Sequence, residues 1–248
     1  RYIGDWDVSN VTDMASMFSG KYFGNFVGPN NDLPEGIGNW DVSSVVSMYE
    51  TFYYCYGNAD LSNWDVSSVT NMKGMFDYAW NFDTDVSKWD VANVTNMRDL
   101  FKRASKMNPN LGDWSVEYLL DATAMLSGTA ISTENYDNLL VGWASQELSN
   151  NIDLSVSAQY CNGASAREIM TDLFNWNIND QGLLDSTCVL TSINDIQNNA
   201  ISVYPNPVLD VLYIDSNVSN VSIYNLVGAK VIDIDESNSI DISNLVNG

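Results

Sequence analysis

The 248-residue sequence predicts an α/β leucine-rich-repeat solenoid, a parallel β-sheet with short helices, followed by a small all-β, Ig-like sandwich. Three observations lead to this prediction. A tryptophan-led motif recurs along the first half of the chain, its apolar residues fit first a strand and then a helix, and alternating β-branched segments follow residue 200.

The recurring motif predicts one coil of the solenoid per copy. The copy WDVSSVTNMKGMF at 64–76 has counterparts that begin at Trp6, Trp40 and Trp89, and a diverged counterpart that begins at Trp114. The copies begin 34, 24, 25 and 25 residues apart. Periods in the twenties are typical of leucine-rich-repeat solenoids, in which each coil supplies one strand plus a helix or 3-10 segment. No single coil can bury its apolar side alone, so the motif has to recur.

The first part of each copy has the alternation of a short strand. In the third copy, Leu61 stands three residues before the tryptophan, Val66 two residues after it, and Val69 three residues further on. Trp64 and Val66 are two residues apart and therefore lie on one face of the predicted strand. We predict that this face, with its tryptophan, packs into the core.

The second part of each copy has the spacing of a one-sided helix. Met72, Met75, Phe76 and Ala79 stand at i, i+3, i+4 and i+7, and Thr70 precedes them as a predicted N-cap. Methionines at this spacing usually fill an uneven core, so we interpret them as packing residues rather than metal ligands.

An aspartate separates the tryptophan from the valine in four copies, as Asp7, Asp41, Asp65 and Asp90. Its neighbours point inward, so the carboxylates should point outward in a column whose members are about 4.8 Å apart. Neighbouring carboxylates repel by roughly 1 kcal/mol even in water. Two explanations for the column stay open: local hydrogen bonds from nearby serines and turn N–H groups, or a bound cation such as Ca²⁺ or a basic ligand.

The first copy also carries an insertion, which makes its spacing 34 residues rather than 24 or 25. Tyr22, Phe23 and Phe26 stand there among glycines and polar residues, and insertions in solenoids often form the binding face. We predict a binding face from these aromatics and the aspartate column, although the loop could instead fold its aromatics onto the body. A second aromatic cluster consists of Tyr53, Tyr54 and Tyr56.

The composition excludes several function classes. With 32 acidic and 10 basic residues the net charge is -22, which disfavours binding to nucleic acid or to an anionic membrane surface. The sequence has no histidine, so catalysis by a Ser-His-Asp or Cys-His set and histidine metal sites are excluded. No apolar run is long enough for a transmembrane segment. We expect a non-catalytic protein with no cofactor apart from the Ca²⁺ considered above.

The three cysteines leave a choice open. Cys161 and Cys188 could form a disulfide or remain two buried thiols, and Cys55 is expected to be buried within its copy.

After residue 126 the motif dissolves into a predicted cap. ISTENYDNLLVGWASQ and ASAREIMTDLFNW predict helices, whereas NIDLSVS and WNIND predict short strands. We therefore expect a solenoid with its cap over 1–186, a polar linker over 187–199, and antiparallel strands separated by turns over 200–248.

The W-D-V-S-x-V-T-x-M-x-x-M-F units resemble the BspA-like leucine-rich-repeat surface proteins over residues 1–126. The stretch Y-C-N-G-A-S-A-R at 160–167 is similar to the closing segment of that group.

The last part of the chain resembles the type A C-terminal sorting domain of the type IX secretion system of Bacteroidota. The matching segments are VYPNPV at 203–208, VSIYNLVG at 221–228 and IDISNLVNG at 240–248. The resemblance assigns recognition of the sorting signal to Tyr204, Pro205, Asn206, Pro207, Asp210, Leu212, Asn225 and Gly228. A final strand resembling G-I-Y-F-V-x-I and a basic tail are expected in that family, so we expect the domain to be truncated.

These resemblances imply export through the type IX translocon and capture of the sorting domain by an outer-membrane shuttle barrel. Cleavage and attachment to a surface lipopolysaccharide can follow. The predicted function is a secreted, cell-surface-displayed binding or adhesion protein with a protein or glycan ligand. The alternative is a structural or motility-associated surface component that binds partner subunits.

Overall fold

The computed structural model describes residues 2–20, 33–185 and 188, together with five short strands between residues 203 and 241. In those strands the side chains of Val221, Ile234 and Ile240 alone are described. The chain divides into two compact units, Arg1–Ser192 and Ile193–Gly248. The predicted linker at 187–199 lies outside the described residues apart from Cys188.

In the first unit, consecutive copies of the motif form coils that pair in parallel. One residue from each of the five coils takes part in a continuous series of bridges: Asp13, Ser47, Asn71, Asn96 and Asp121. Residues 40–121 are all described, and they consist of turns, these isolated bridges and segments without regular secondary structure. A 3-10 helix at Ile37–Asn39 precedes them. The predicted strand at Trp64–Val66 and the predicted helix over 72–79 are both wrong.

Hydrogen bonds between coils explain why no helix forms. The N–H groups of Met72, Gly74, Phe76 and Tyr78 donate to carbonyl oxygens of the fourth coil at 2.8–2.9 Å, and the second and fourth coils repeat this pattern. An α-helix would need the same N–H groups for its own i−4 carbonyls. We call the segments joined in this way, residues 47–54, 71–78, 96–103 and 121–128 with 13–20 of the first coil, the ladder.

The ladder requires left-handed backbone at regular positions. In the third coil these are Gly74, with φ of 62°, and Tyr78, with φ of 58°. Successive turns close within the same segment, since the Met75 N–H donates to the Met72 carbonyl at 3.1 Å. Left-handed backbone costs a non-glycine residue about 1–2 kcal/mol. The bonds to the next coil stabilise this conformation nevertheless, and Thr70 is not a helix cap.

The core consists of the residues that the apolar pattern predicts. Trp64, Val66, Met72 and Phe76 are at most 3% exposed, and their equivalents in the second and fourth coils are similarly buried. The first coil differs, because Trp6 is 55% exposed and stacks on Trp40 with 6.2 Å between ring centroids. The prediction that the repeated tryptophan is buried is therefore confirmed for the later copies and wrong for Trp6.

Each buried tryptophan also makes a hydrogen bond to the preceding coil. The Trp64 indole N–H donates to the Ile37 carbonyl at 3.0 Å, and Trp89 donates to Leu61 at 3.1 Å. The same bond is made by Trp40, Trp114, Trp143 and Trp176. The indole thus fills the core and donates a second hydrogen bond to a carbonyl group that already accepts a backbone N–H, as Ile37 does from Trp40 at 3.2 Å.

The two helices and two strands predicted for the cap are present, and a strand that the sequence did not predict precedes them. Strand β1 (Ala122–Leu126), helix α1 (Thr133–Ala144), strand β2 (Asp153–Val156), helix α2 (Ala164–Asp172) and strand β3 (Asn177–Asn179) follow one another. The three strands form a parallel sheet in the order β1-β2-β3. The Ser132 side chain caps α1 by accepting a hydrogen bond from the Asn135 N–H at 3.2 Å. Neither helix is long and apolar enough to cross a membrane, a finding that covers only the described residues.

The structure decides between the alternatives for the cysteines. Cys161 and Cys188 form a disulfide, whereas Cys55 is a free and buried thiol, as predicted. The turn that contains Cys161 is fixed by Asp137 of α1, whose carboxylate accepts the N–H groups of Cys161, Asn162 and Gly163 at 2.8–2.9 Å.

The described residues of the second unit form five short antiparallel strands. They are β4 (Val203–Tyr204), β5 (Val211–Ile214), β6 (Asn220–Tyr224), β7 (Lys230–Asp235) and β8 (Ser239–Asp241). Strands β4, β5 and β8 form one sheet, and β6 and β7 form another. The antiparallel strands are as predicted, while the Ig-like sandwich and the leucine-rich-repeat class stay predictions.

Candidate binding surfaces

The aspartates of the predicted column are exposed and hydrogen-bonded locally. Asp65 Oδ1 accepts hydrogen bonds from the Ser67 backbone N–H at 3.0 Å and from the Ser67 hydroxyl at 2.6 Å. Asp7 and Asp41 make the same pair of bonds with the serines two residues on. Asp90 accepts only the Ala92 N–H, at 3.1 Å. The local explanation offered by the sequence is therefore realised.

The serine bonds favour the charged form of three of these carboxylates. The Ser67 hydroxyl, followed by the Ser67 N–H, holds the pKa of Asp65 below its usual value. The corresponding serines lower the pKa of Asp7 and of Asp41 in the same way. A hydrogen bond to the ionised form of a carboxylate favours that form.

The same turn recurs at two other places in the repeat, at one of them in three coils and at the other in all five. One set consists of Asp60, Asp85 and Asn110, and the other of Asp13, Ser47, Asn71, Asn96 and Asp121. In every case the side-chain oxygen accepts the N–H two residues on, which is the bond that defines an Asx or Ser turn. We call all three sets the turn columns. Within the described part of the chain, no three Asp, Glu or Cys residues form a group that could hold a metal ion.

Several predicted site residues cannot be placed. Tyr22, Phe23 and Phe26 lie outside the described residues. Of the predicted sorting-signal residues, Tyr204 lies in β4 and Leu212 in β5. The others also lie outside the described residues: Pro205, Asn206, Pro207, Asp210, Asn225 and Gly228.

A different surface lies along the ladder. Beyond its turn-column residue Asn71, the ladder segment of the third coil has four residues that are not part of the apolar core: Lys73, Gly74, Asp77 and Tyr78. The equivalent positions are Tyr49, Glu50, Tyr53 and Tyr54 in the second coil and Arg98, Asp99, Lys102 and Arg103 in the fourth. We call these twelve positions of the three middle coils the ladder face.

The aromatic residues of the ladder face form a continuous stack. The rings of Tyr54 and Tyr78 are parallel within 17°, with centroids 4.3 Å apart, and the Arg103 guanidinium lies 4.6 Å from the Tyr78 centroid. Trp80 packs edge-on against Tyr78 at 5.6 Å, and the exposed Tyr56 covers Trp80 at 4.8 Å. The stack holds these side chains in one arrangement.

The ladder face also concentrates positive charge on an acidic chain. It carries Lys73, Arg98, Lys102 and Arg103, four of the 10 basic residues. Lys102 and Arg98 are paired, both with Asp99, at 2.8 and 3.6 Å. No carboxylate of the described residues forms an ion pair with Lys73 or Arg103.

A buried carboxylate lies within the ladder face. Asp77 is 7% exposed, and its Oδ1 has no hydrogen-bond partner among the described residues. Burial raises the pKa of Asp77 to about 6, although the nearby Lys102 acts in the opposite direction. Buried polar atoms without partners are rare in folded proteins and call for an explanation.

Reasoning from the sequence missed most of the ladder face and identified only Tyr53 and Tyr54. A usable signal was present, because the residues between the repeated Met and Phe differ in every copy whereas the apolar frame stays constant.

Comparison with protein families identifies both parts of the chain. Residues 1–23 and 21–139 match the family described as Mycoplasma protein of unknown function, DUF285. Residues 202–248 match the secretion system C-terminal sorting domain. Comparison with curated proteins and with solved structures gives no significant match.

The second match supports a substrate of type IX secretion that is exported to the cell surface or the medium. This part of the prediction is confirmed, whereas the bacterial phylum and the adhesion function stay predictions. The first match extends over residues 1–139 of 248, which is more than half of the chain. The chain therefore belongs to the DUF285 family and carries a secretion system C-terminal sorting domain.

Proposed function

We propose that the chain is a non-catalytic binding or adhesion protein displayed on the cell surface. The proposal rests on one observation, which is that some positions of a coil repeat along the chain and others vary. The buried frame and the turn columns repeat from coil to coil, whereas the ladder face of the middle coils does not. A stack of this kind presents different side chains on one framework, as other repeat proteins do when they bind partners.

The sorting domain supports the same proposal. A chain carried to the cell exterior meets surfaces and macromolecules there, and a binding framework suits that location. The net charge of -22 disfavours nucleic acid and anionic lipid as ligands, which leaves proteins and glycans as the ligand classes considered.

The proposal can be tested in a host with a working type IX system. Three strains are compared: one expresses the full chain, one expresses the chain without 202–248, and one expresses neither. Each strain is treated with an external protease and then placed on immobilised matrix protein or polysaccharide. We expect the full chain to be cleaved by the protease and to increase cell retention. Removal of 202–248 should abolish both effects.

Two outcomes would contradict the proposal. Display without increased retention on any surface, combined with self-association of the purified chain in sedimentation velocity, would favour a structural surface component. A chain that stays inside the cell even with its sorting domain would contradict display itself.

The aspartate column remains a second candidate for the contact surface. If it binds the ligand, the combined replacement of Asp41, Asp65 and Asp90 by Ala should reduce retention. If retention is unchanged, the contact surface lies elsewhere.

A further inference from the structure

The ladder face carries differences that folding does not require. The same backbone bonds and the same buried Met and Phe recur in the second, third and fourth coils, so each coil has the same packing needs. At the four ladder-face positions, however, the only identical residues are Tyr54 and Tyr78. Large and charged side chains are confined to these three coils. The first and fifth coils have small residues there: Ala15, Ser16, Ser19 and Gly20, and Thr123, Ala124, Ser127 and Gly128.

The residue types are those that dominate protein–protein contacts. Tyr, Trp and Arg are enriched among the residues that contribute most of the binding free energy. In the stack of Tyr54, Tyr78 and Arg103, the side chains already lie in contact, so little conformational entropy is lost when a partner binds.

The arrangement favours a polypeptide over a sugar. Sugar rings are usually bound on open aromatic faces, but one face of Tyr78 is covered by Tyr54 and Arg103 also lies over its ring. The stack therefore presents mainly ring edges and hydroxyl groups. A polypeptide can contact these groups with its backbone as well as its side chains.

The basic side chains indicate what the partner must supply. Lys73 and Arg103 have no carboxylate partner among the described residues, so they are available for carboxylates of another molecule. A segment that carries acidic side chains provides those carboxylates.

We propose that the ladder face binds an acidic segment of a partner protein, with its carboxylates on Arg103 and Lys73 and its backbone against the tyrosine stack. This inference rests on the proposed function and names the contact surface and the ligand class.

The test begins with a phage library of random twelve-residue peptides, selected on the full chain. Synthetic copies of the recovered peptides are then titrated by fluorescence polarisation against the full chain and its variants. We expect peptides rich in Asp and Glu, whose binding weakens at least tenfold with Arg103→Glu.

Two matched controls locate the effect. Lys88→Glu makes the same change of charge as Arg103→Glu at an exposed residue outside the ladder face and should leave binding unchanged. The combined Asp41, Asp65 and Asp90 change to Ala should also leave it unchanged. Circular dichroism melts of every variant verify that it is folded, and Tyr78→Ala serves as a second ladder-face variant if Arg103→Glu does not fold.

Failure to recover acidic peptides, or affinities that both ladder-face variants leave unchanged, would overturn the inference. Binding of a uronate polysaccharide that is lost with Arg103→Glu, without any recovered peptide, would overturn it in favour of an acidic glycan. If cells displaying Arg103→Glu adhere like those displaying the unchanged chain, the inference fails while the proposed function stands. If neither adheres, the proposed function fails as well.

Discussion

The turn columns and the ladder face lie on the same coils, but they differ in how far their residues repeat and in which residues their side chains contact. At the turn columns the same chemistry recurs from coil to coil, and the side chain accepts hydrogen bonds from the residue two positions on, as Asp65 does from Ser67. On the ladder face the residues differ between coils and contact residues of other coils, as Tyr54 does with Tyr78. Residues that repeat from coil to coil are therefore those that a coil needs in order to fold. A binding surface is better sought among the residues that vary between coils.

The two regions also differ in how their carboxylates are satisfied. The aspartates of the predicted column are exposed and have hydrogen-bond donors, and serine lowers the pKa of three of them. Asp77 is buried, has an oxygen without a donor and has a raised pKa. The first arrangement favours the folded state, whereas the second disfavours it, which is acceptable where a residue serves binding.

The largest expected effect concerns the repeated frame. Trp89→Ala should lower the free energy of unfolding by about 3–5 kcal/mol, because it empties a core position and removes the hydrogen bond to the Leu61 carbonyl. Trp6→Ala, at the equivalent but exposed position, should cost about 1 kcal/mol or less. Urea unfolding of both variants measures this. Similar losses would show that the first coil depends on its tryptophan as the others do.

The next effect concerns the buried carboxylate of the ladder face. Because the pKa of Asp77 is raised in the folded state, the folded chain binds more protons between pH 3.8 and about 6. Its free energy of unfolding therefore falls as the pH rises through that range. Asp77→Asn should be more stable than the unchanged chain at pH 7.5, by about 1–2 kcal/mol, and the difference should vanish near pH 4.

Urea titrations of both chains across this range measure the difference. If the two chains differ in stability by the same amount at every pH, the pKa of Asp77 is not raised by folding, and the prediction is contradicted.

A smaller effect is expected at the turn columns. Ser67→Ala removes one donor to Asp65 and should cost about 0.5 kcal/mol at neutral pH, since the turn is exposed. The lowered pKa of Asp65 contributes stability above pH 3.8 that is lost as the pH falls through the folded value. The cost should therefore decrease below pH 3.8.

Ala92→Ser is the matched test, because the fourth coil lacks this serine and should gain a similar amount. Thermal melts of the two single variants and of the unchanged chain would measure the pair. A destabilising Ala92→Ser would contradict the assignment of the serine hydroxyl to the turn.

The smallest effect is expected from calcium. Because the column aspartates have local donors, added Ca²⁺ should produce no saturable rise in the unfolding midpoint. A saturable rise that disappears when Asp41, Asp65 and Asp90 are replaced by Ala would restore the cation explanation of the column.

The sequence was sufficient to predict which residues are buried in the coils. Met72, Met75, Phe76 and Ala79 are all fully buried, although the helix inferred from their spacing does not form. Apolar periodicity reports the burial of a side chain, but it does not report the partner of a backbone N–H group. In the cap, the same reasoning was right for α1 and α2, because these segments do form their own helical hydrogen bonds.

Less of the candidate site than of the fold could be predicted from the sequence. The aspartate column was visible, but whether it was held by serines or by a cation stayed open until the geometry was known. The stack of Tyr54, Tyr78 and Arg103 joins residues that are 24 and 25 positions apart, so it appears only when the coils are placed in register.

The sequence by itself determined the number of coils, the apolar frame, the cap and the sorting domain, because each is written as a local pattern or motif. Tertiary structure alone decided the ladder, the pairing of Cys161 with Cys188, the bonds of the buried indoles and the burial of Asp77. Each of these depends on a group in another coil or another part of the chain. A backbone N–H that finds its acceptor in the next coil cannot also close a helix, and no local pattern records that choice.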